Sequence, residues 1–329
     1  MLRLTFSRPR QPRLMSATAK TCSPLRRSAS MFLRTSPIST REAAASRRNF
    51  LKRSAGVLLI SGVGGSLLSA CGGGNLGDDP PATPRLASVG NFRDLAGAAP
   101  YPTVDGKQMR RGAFYRANAL TLDAVDEAAI DRLGIASVYD LRTPAEIART
   151  ADILPRGATT RTLNVLGTAD FVAPAFDTAA AAVAFMETQA RGYVTGAAQR
   201  AAYGALLTNL ADAPGAQLFH SSAGKDRAGW VAALLLSIAN VPLDVIIQDY
   251  LLSNVYLAPQ IKAQTETLRT QDGDAAASVE APLLSVQENY LQAGFDQVQA
   301  SYGTMVSYLT QGLGVSQATI DTLHSRLVV

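Results

Sequence analysis

Cysteine and histidine are scarce in this 329-residue chain, which has two residues of each. The cysteines are Cys22 and Cys71, so the chain beyond Cys71 can form no internal disulfide and offers no thiolate for catalysis. The histidines are His220 and His324, too few for a zinc site built from His and Cys ligands. We therefore expect neither a metal nor any other cofactor.

Acidic residues are almost absent from the first 53 positions, where Glu42 stands against 13 of the 31 basic residues. Residues 71–329 keep 18 basic and 25 acidic residues, a formal charge of −7, although the whole chain carries +5. A basic leader joined to an acidic body indicates targeting. Nucleic acid is not an expected partner, because the body itself is acidic.

The leader ends in an uncharged run. Arg47 and Arg48 precede residues 54–70, which are apolar but contain four glycines. Seventeen residues of this kind are short and weakly apolar for a permanent membrane span. The segment resembles a twin-arginine export signal, so residues 1–70 are predicted to be a signal, with Met31 as an alternative start.

The run closes with Leu-Ser-Ala-Cys at residues 68–71, which resembles the lipobox of bacterial lipoproteins. The resemblance implies cleavage before Cys71 and acylation of that residue, and more than one acyl chain gives stable anchoring. Residues 71–84 contain Gly and Pro clusters and are predicted to be a flexible tether. The resemblance further implies an exported protein, lipid-anchored in the cell envelope at the outer membrane, facing the periplasm or the exterior.

Short strand-like runs alternate with helical stretches in residues 85–329, which favours one α/β domain. Strands are predicted over residues 112–117, 135–141, 159–166 and 217–219. Helices are predicted over residues 123–133, after the capping box that starts at Thr143, over 171–211 with breaks near Gly192 and Gly196, and over 230–238, 243–257 and most of 280–327. We expect a small central sheet flanked by helices, a helical insertion near 171–211 that covers a site or an edge, and a helical C-terminal third.

One loop carries most of the functional information. From His220 to Arg227 the chain reads His-Ser-Ser-Ala-Gly-Lys-Asp-Arg, between a predicted strand and a predicted helix. Such a loop directs backbone N–H groups toward a helix N-terminus, an arrangement that binds tetrahedral anions. Arg227 adds a planar guanidinium that can bind two phosphate oxygens at once.

This loop resembles that of the bacterial secreted tyrosine phosphatases of the cysteine phosphatase superfamily, which reads His-Cys-x-Ala-Gly-Lys-Asp-Arg. Further motifs that fit the family are Asn91-Phe92-Arg93-Asp94-Leu95, Tyr115-Arg116, Asp140-Leu141-Arg142 and Asp249-Tyr250-Leu251-Leu252. The resemblance covers residues 85–329. It implies a tyrosine-phosphatase-like domain whose ligand is a phosphorylated protein or a phosphoinositide.

The chain departs from the family at the nucleophile, because Ser221 stands where the family has cysteine. A loop of this kind lowers the pKa of a thiol to about 3.5–7.5, but an alcohol starts far higher and needs an adjacent general base. By resemblance, His220 tunes the loop and does not deprotonate the next residue. We expect phosphate binding to survive and hydrolysis to be lost or strongly reduced.

The resemblance assigns the other roles residue by residue. Arg227 would bind the phosphoryl oxygens and stabilise the transition state, Asp226 would be the general acid, and Lys225 would favour highly charged substrates. The remaining substrate-binding positions are His220, Ser222, Ala223, Gly224, Arg93 and Asp94. Two structural interpretations stay open, Asp226 as a helix N-cap and Lys225 as an exposed loop charge.

Three alternative functions remain. The protein could be an active phosphatase whose native nucleophile is a cysteine at position 221, or it could retain slow hydrolysis through water activated by Asp226. A serine hydrolase fits less well, because Ser221 lacks the Gly-x-Ser-x-Gly elbow and the only remote histidine is His324.

Overall fold

The computed structural model of the protein describes residues 82–329, which belong to one unit, Gly74–Val329. The predicted signal, the lipidation site Cys71 and most of the predicted tether lie outside the described residues. Within residues 82–329, no helix is both long enough and apolar enough to cross a membrane.

A five-stranded mixed sheet forms the centre of the fold. Its strands are β1 (Arg93–Asp94), β2 (Phe114–Ala117), β3 (Ile135–Asp140), β4 (Thr159–Thr162) and β5 (Ala216–His220). The spatial order is β1-β2-β5-β3-β4, with β1 antiparallel to β2 and all other neighbours parallel. Because β2, β3 and β5 are parallel, the loops that follow them meet at one edge of the sheet, the usual place for a ligand in an open α/β sheet.

Helices make up most of the remaining chain. They are α1 (Ala124–Asp131), α2 (Pro144–Arg149), α3 (Ala179–Thr195), α4 (Ala197–Asp212), α5 (Arg227–Ile238), α6 (Leu243–Tyr256), α7 (Ala258–Leu284), α8 (Glu288–Tyr302), α9 (Met305–Ser307), a π-helix (Tyr308–Gly312) and α10 (Gln317–Leu327). The prediction of an α/β domain with a small sheet, a helical insertion and a helical C-terminal third is therefore confirmed.

Residues of β2, β3 and β5 pack into two separate cores, one on each face of the sheet. In β5, Leu218 contributes to the smaller core, which also contains α1, while Phe219 contributes to the larger core on the other face. This alternation follows from the two-residue period of side chains along a strand. The larger core surrounds α5, whose Trp230 is buried against the rings of Phe295 and Tyr308. Burial on both faces fixes the position of β5 and α5, and hence of the loop between them.

Three helix predictions differ from the structure. The helical part of the insertion begins at Ala179 and not at residue 171, because residues 171–178 are not helical. No break occurs at Gly192, because α3 continues through it to Thr195 and the chain turns only at Gly196. The long helix α7 was not predicted; its sequence is rich in polar residues, and only Ala277 and Pro282 are buried. Gly273, with φ of 88°, kinks it. A helix with so little buried apolar surface has no clear 3.6-residue hydrophobic period, which explains why the pattern missed it.

Candidate active site

The loop between β5 and α5 borders a cavity of about 200 Å³. Every residue from 221 to 227 except Gly224 lines this cavity: Ser221, Ser222, Ala223, Lys225, Asp226 and Arg227. The first helical residue of α5 is Arg227, so the N-terminus of that helix points at the same space. The structure thus brings together the nucleophile position, the general-acid position and the phosphate-binding arginine that the sequence predicted.

Gly224 gives the loop its tight curvature. Its φ is +67°, a left-handed conformation that side chains rarely adopt. A Cβ at this position would also overlap the carbonyl oxygen of Ala117 at the end of β2. The glycine therefore allows the loop to lie directly on the neighbouring strand.

Three consecutive carbonyl groups of the loop are held from behind by hydrogen bonds. The donors are Ala119 N to Ser222 O at 3.1 Å, Asn91 Nδ2 to Ala223 O at 2.9 Å and Arg116 Nη2 to Gly224 O at 2.8 Å. In a trans peptide the C=O and N–H bonds point in opposite directions. The N–H groups of residues 223, 224 and 225 are therefore turned away from these donors, and the loop forms a concave array of donors suited to a phosphate.

Arg227 is held by a carboxylate that sequence reasoning did not assign to the site. Glu146 accepts two hydrogen bonds of 2.7 Å from the two terminal nitrogens of Arg227 and a third of 2.6 Å from the Ser222 hydroxyl. Burial acts to raise the pKa of Glu146, but the bonds from Arg227 outweigh it and lower that pKa to about 2. The same pairing raises the pKa of Arg227 against the opposing effect of burial. Glu146 thus fixes the plane of the guanidinium while it remains charged.

The position of Glu146 follows from a local signal. It is the third residue of α2, and its carboxylate accepts from the backbone N–H of Thr143 while Thr143 caps Glu146 in return. This capping box was predicted, and it places the start of α2 at the edge where β3 ends. The tertiary pairing with Arg227 spans 81 residues and left no signature in the sequence.

Ser221 is 2% exposed and lines the cavity, and the histidine before it is not positioned as its base. Nε2 of His220 lies 3.2 Å from Oδ2 of Asp152. Within residues 82–329, Nδ1 of His220 has no hydrogen-bond partner, so neither ring nitrogen is bonded to the Ser221 hydroxyl. The site lacks the nucleophile–base pair that an alcohol requires.

Beneath the loop, His220 belongs to a buried charged cluster. Arg142 donates to Asp140 at 2.8 Å and to Asp152 at 2.7 Å. Burial acts to raise the pKa of Asp152, but the adjacent His220 lowers it, and the net shift of the pKa is downward. Asp140, Asp152 and His220 have the donor types of a metal site. Both carboxylates, however, already face the guanidinium of Arg142, so we assign the cluster to structural support of the loop.

Asp226 occupies the N-cap position of α5 but does not cap it. Its side chain makes no capping hydrogen bond; Oδ2 accepts a 2.7 Å bond from Nζ of Lys225, and the side chain lines the cavity. Lys225 is largely buried and reaches the carbonyl oxygen of Ser285 at 3.4 Å. The geometry therefore favours Asp226 as an acid that faces the cavity over Asp226 as a simple helix cap. It favours Lys225 as a buried residue of the site over Lys225 as an exposed loop charge.

Arg93 and Asp94 lie outside this cavity. Both line a neighbouring one, together with Tyr101. Arg93 binds Asp249 and Asn91, while Asp94 accepts from the backbone N–H groups of residues 96 and 112. They do not reach the loop directly, although Asn91 and Asp249 connect Arg93 to it.

The opposite wall of the cavity is apolar. Its main contributors are Phe171, Phe185, Met186 and Tyr193 from the helical insertion and Leu283 from α7. The rings of Phe171 and Phe185 are stacked with centroids 6.4 Å apart. The predicted insertion thus covers a site, and it places flat apolar surfaces opposite the anion-binding loop.

Comparison with known proteins agrees with this arrangement. Residues 84–329 match the model of the tyrosine phosphatase family. The chain is 30% identical over 285 residues to the triple specificity protein phosphatase PtpB of Mycobacterium tuberculosis. The aligned region covers 75% of this chain and 99% of the relative. This chain is also 29% identical over 272 residues to a tyrosine-protein phosphatase of Nostoc commune, and the aligned region covers 76% of this chain and 90% of the relative. These matches show that the chain belongs to the tyrosine phosphatase family, with which the loop from His220 to Arg227 and its anchored arginine agree.

Proposed function

We propose that the protein binds phosphate monoesters, either phosphotyrosine or a phosphoinositide headgroup, in the loop from His220 to Arg227. We further propose that Ser221 makes their hydrolysis slow or absent. The family supports phosphorylated substrates in general. The observation that carries the proposal is the convergence of the loop, the fixed Arg227 guanidinium and the α5 N-terminus on one cavity that begins at Ser221.

The chemical argument concerns the nucleophile. A cysteine at the base of such a loop is ionised at neutral pH, because N–H groups, the helix dipole and an arginine lower the pKa of its thiol. The hydroxyl of Ser221 starts from a far higher pKa, and His220 is directed at Asp152. The field that would activate a thiol therefore leaves the hydroxyl protonated, and no nearby base replaces it.

The remaining groups support binding and leaving-group chemistry. The N–H array and Arg227 bind the phosphoryl oxygens, and these contacts do not depend on the atom at position 221. Asp226 would donate a proton to the leaving oxygen, a role that fits its place on the cavity wall beside Lys225. The apolar wall of Phe171 and Phe185 favours an aryl ester over an aliphatic one.

The test compares the turnover of p-nitrophenyl phosphate by four proteins, the wild type and three variants. We expect little turnover by the wild type and by Ser221→Ala, and a large gain of activity in Ser221→Cys. Ser222→Cys is the matched control, since it adds a thiol one residue away and should gain no activity. Binding of inorganic phosphate, measured by calorimetry, should be similar in the wild type and in Ser221→Ala.

Two other outcomes would overturn the proposal. Equal turnover by the wild type and Ser221→Cys would show that the nucleophile is not at position 221. Absence of phosphate binding in the wild type would remove the anion site itself. Hydrolysis of p-nitrophenyl acetate that disappears in Ser221→Ala would instead favour a serine hydrolase.

We also propose that the protein is exported by the twin-arginine route and anchored through lipid on Cys71. The support is the sequence of residues 46–71, with its arginine pair, apolar run and terminal cysteine. Labelled fatty acid should be incorporated by the wild type and by Cys22→Ala but not by Cys71→Ala. Label in Cys71→Ala would refute the anchor, and export of a variant with Lys at positions 47 and 48 would refute the route.

A further inference from the structure

Two buried arginines share one carboxylate directly behind the phosphate loop. Nη1 of Arg116 lies 2.8 Å from Oδ2 of Asp249, and Nε of Arg93 lies 3.3 Å from Oδ1 of the same residue. The exposed fractions of Arg116, Arg93 and Asp249 are 0%, 3% and 1%. We call these three residues, the two arginines and the aspartate that they share, the arginine trio.

The arginine trio carries an excess positive charge. Burial, followed by the proximity of Arg93, lowers the pKa of Arg116 to about 10, which still leaves its guanidinium protonated at neutral pH. Asp249 is the carboxylate that accepts a hydrogen bond from Arg116, and its charge opposes the effect of burial. The neighbouring Tyr101 donates its hydroxyl to Asp249, and burial raises the pKa of that hydroxyl, so it adds no negative charge. Two cations and one anion therefore leave a net charge of +1.

Arg116 joins this charge to the loop. Its Nη2 donates to the carbonyl oxygen of Gly224 at 2.8 Å and lies 3.5 Å from that of Lys225. The first contact orients the peptide that carries the N–H of Lys225, one of the donors turned away from the scaffold. Arg116 thus has two separable properties, the geometry of its fork and its charge.

We propose that Arg116 is a positioning residue for the loop and that the excess charge of the arginine trio makes the loop prefer dianions over monoanions. This inference rests on the proposed function, since it assumes that the loop binds an anion. It assigns the preference to a group behind the loop, in addition to Lys225 and Arg227 at its surface. A phosphate monoester is a dianion near neutral pH, so such a preference would select it against monoanionic phosphodiesters.

The two properties of Arg116 have different dependences on ligand charge. A misplaced peptide N–H weakens one hydrogen bond to the ligand, and Arg116→Lys, which keeps the charge, measures this effect for each anion. Loss of a buried charge weakens binding in proportion to the charge of the ligand, because the Coulomb energy is proportional to the product of the two charges. Tungstate and perrhenate are tetrahedral oxyanions of similar size with charges of −2 and −1, so a change in the ratio of their dissociation constants beyond that seen in Arg116→Lys reports the loss of charge.

The experiment measures both dissociation constants by calorimetry for the full chain and four variants. Arg116→Gln removes both the charge and the fork, and the loss of charge alone should weaken perrhenate roughly 15-fold and tungstate roughly 300-fold, for a charge about 10 Å away at an effective dielectric constant of about 20. Arg116→Lys keeps the charge and loses the fork, so it should weaken both anions less and measures the contribution of the fork. Asp249→Asn removes the negative charge and should raise the preference for tungstate.

The matched control is Arg326→Gln. Arg326 also donates to backbone carbonyls, those of Leu210, Ala213 and Gly215, but not to the loop. It should lower the thermal stability and leave both dissociation constants unchanged. If Arg116→Gln does not fold, the opposite shift in Asp249→Asn decides the question.

The outcomes separate this inference from the proposed function. Failure of the wild type to bind either anion overturns both. Wild-type binding with an unchanged tungstate-to-perrhenate ratio in Arg116→Gln and Asp249→Asn overturns the charge argument alone. Unchanged affinity for both anions in Arg116→Lys overturns the positioning role of the fork.

Discussion

The carboxylate of Glu146 should contribute strongly to the stability of the domain, and its contribution should depend on pH. Glu146 and Arg227 are joined by two hydrogen bonds of 2.7 Å, and their side chains are only 9% and 11% exposed. Glu146→Gln keeps the size of the side chain and removes the charge. It leaves the buried guanidinium of Arg227 without its anion, which is a costly change in a poorly solvated place.

The magnitude follows from the pKa of Glu146. The structure lowers this pKa from 4.5 to about 2. That difference corresponds to about 3 kcal/mol, and partial access of water to the pair reduces the expected loss of unfolding free energy to about 2 kcal/mol at pH 7. Because the folded pKa lies below the unfolded one, the contribution is complete above pH 4.5 and is lost as the pH falls toward 2.

Urea denaturation of the wild type and Glu146→Gln at pH 7 and pH 3 measures this difference. The control is Asp170→Asn, because Asp170 also accepts two bonds from an arginine, at 2.9 and 2.7 Å from Arg149. That pair is 54% and 39% exposed, so its removal should change the stability little. A Glu146→Gln effect as small as that of the control, or one that is the same at pH 7 and pH 3, would refute the reasoning.

Three further predictions concern the loop and its support. Gly224→Ala should abolish tungstate binding in calorimetry, whereas Gly106→Ala, which shares a positive φ of 81° but has open space around it, should bind normally; normal binding by both would contradict the role of the close approach. In the Ser221→Cys background, Asp226→Asn should lower kcat about 100-fold for phenyl phosphate and much less for p-nitrophenyl phosphate, and equal losses would exclude a general acid at this position. Trp230→Ala should lower the free energy of unfolding by about 3–5 kcal/mol in urea denaturation, and a loss below about 1 kcal/mol would contradict its place in the core.

The sequence predicted the elements whose signals are local. The strand at 135–141 and the helix at 243–257 agree with β3 (Ile135–Asp140) and α6 (Leu243–Tyr256) to within one residue. Apolar runs and capping residues lie within these segments, so no tertiary information was needed. The predicted strand at 159–166 was too long, because only 159–162 pair with β3 and the following residues leave the sheet.

The supports of the site could not be predicted because they depend on distant contacts. Glu146 was visible only as a capping residue, and its bond to Arg227 depends on how β3 and β5 pair. Arg116 was part of a family motif without a role, since its contact with Gly224 spans 108 residues. Conversely, Arg93 was expected near the pocket, but its side chain lies behind the loop, where it binds Asp249. A linear motif identifies such residues but does not give the direction of their side chains.

The cost of these supports bears on what a serine at position 221 means. Burying the Arg227–Glu146 pair and the arginine trio removes several charges from water, and well-packed apolar residues of similar volume are often as stabilising or more so. Stability alone therefore does not account for charged groups arranged around one loop. The proposed anion would account for them, because it would interact with the excess positive charge and with the inward N–H groups at once. The architecture behind the loop thus argues for a working anion site, whether or not the residue at 221 completes a catalytic cycle.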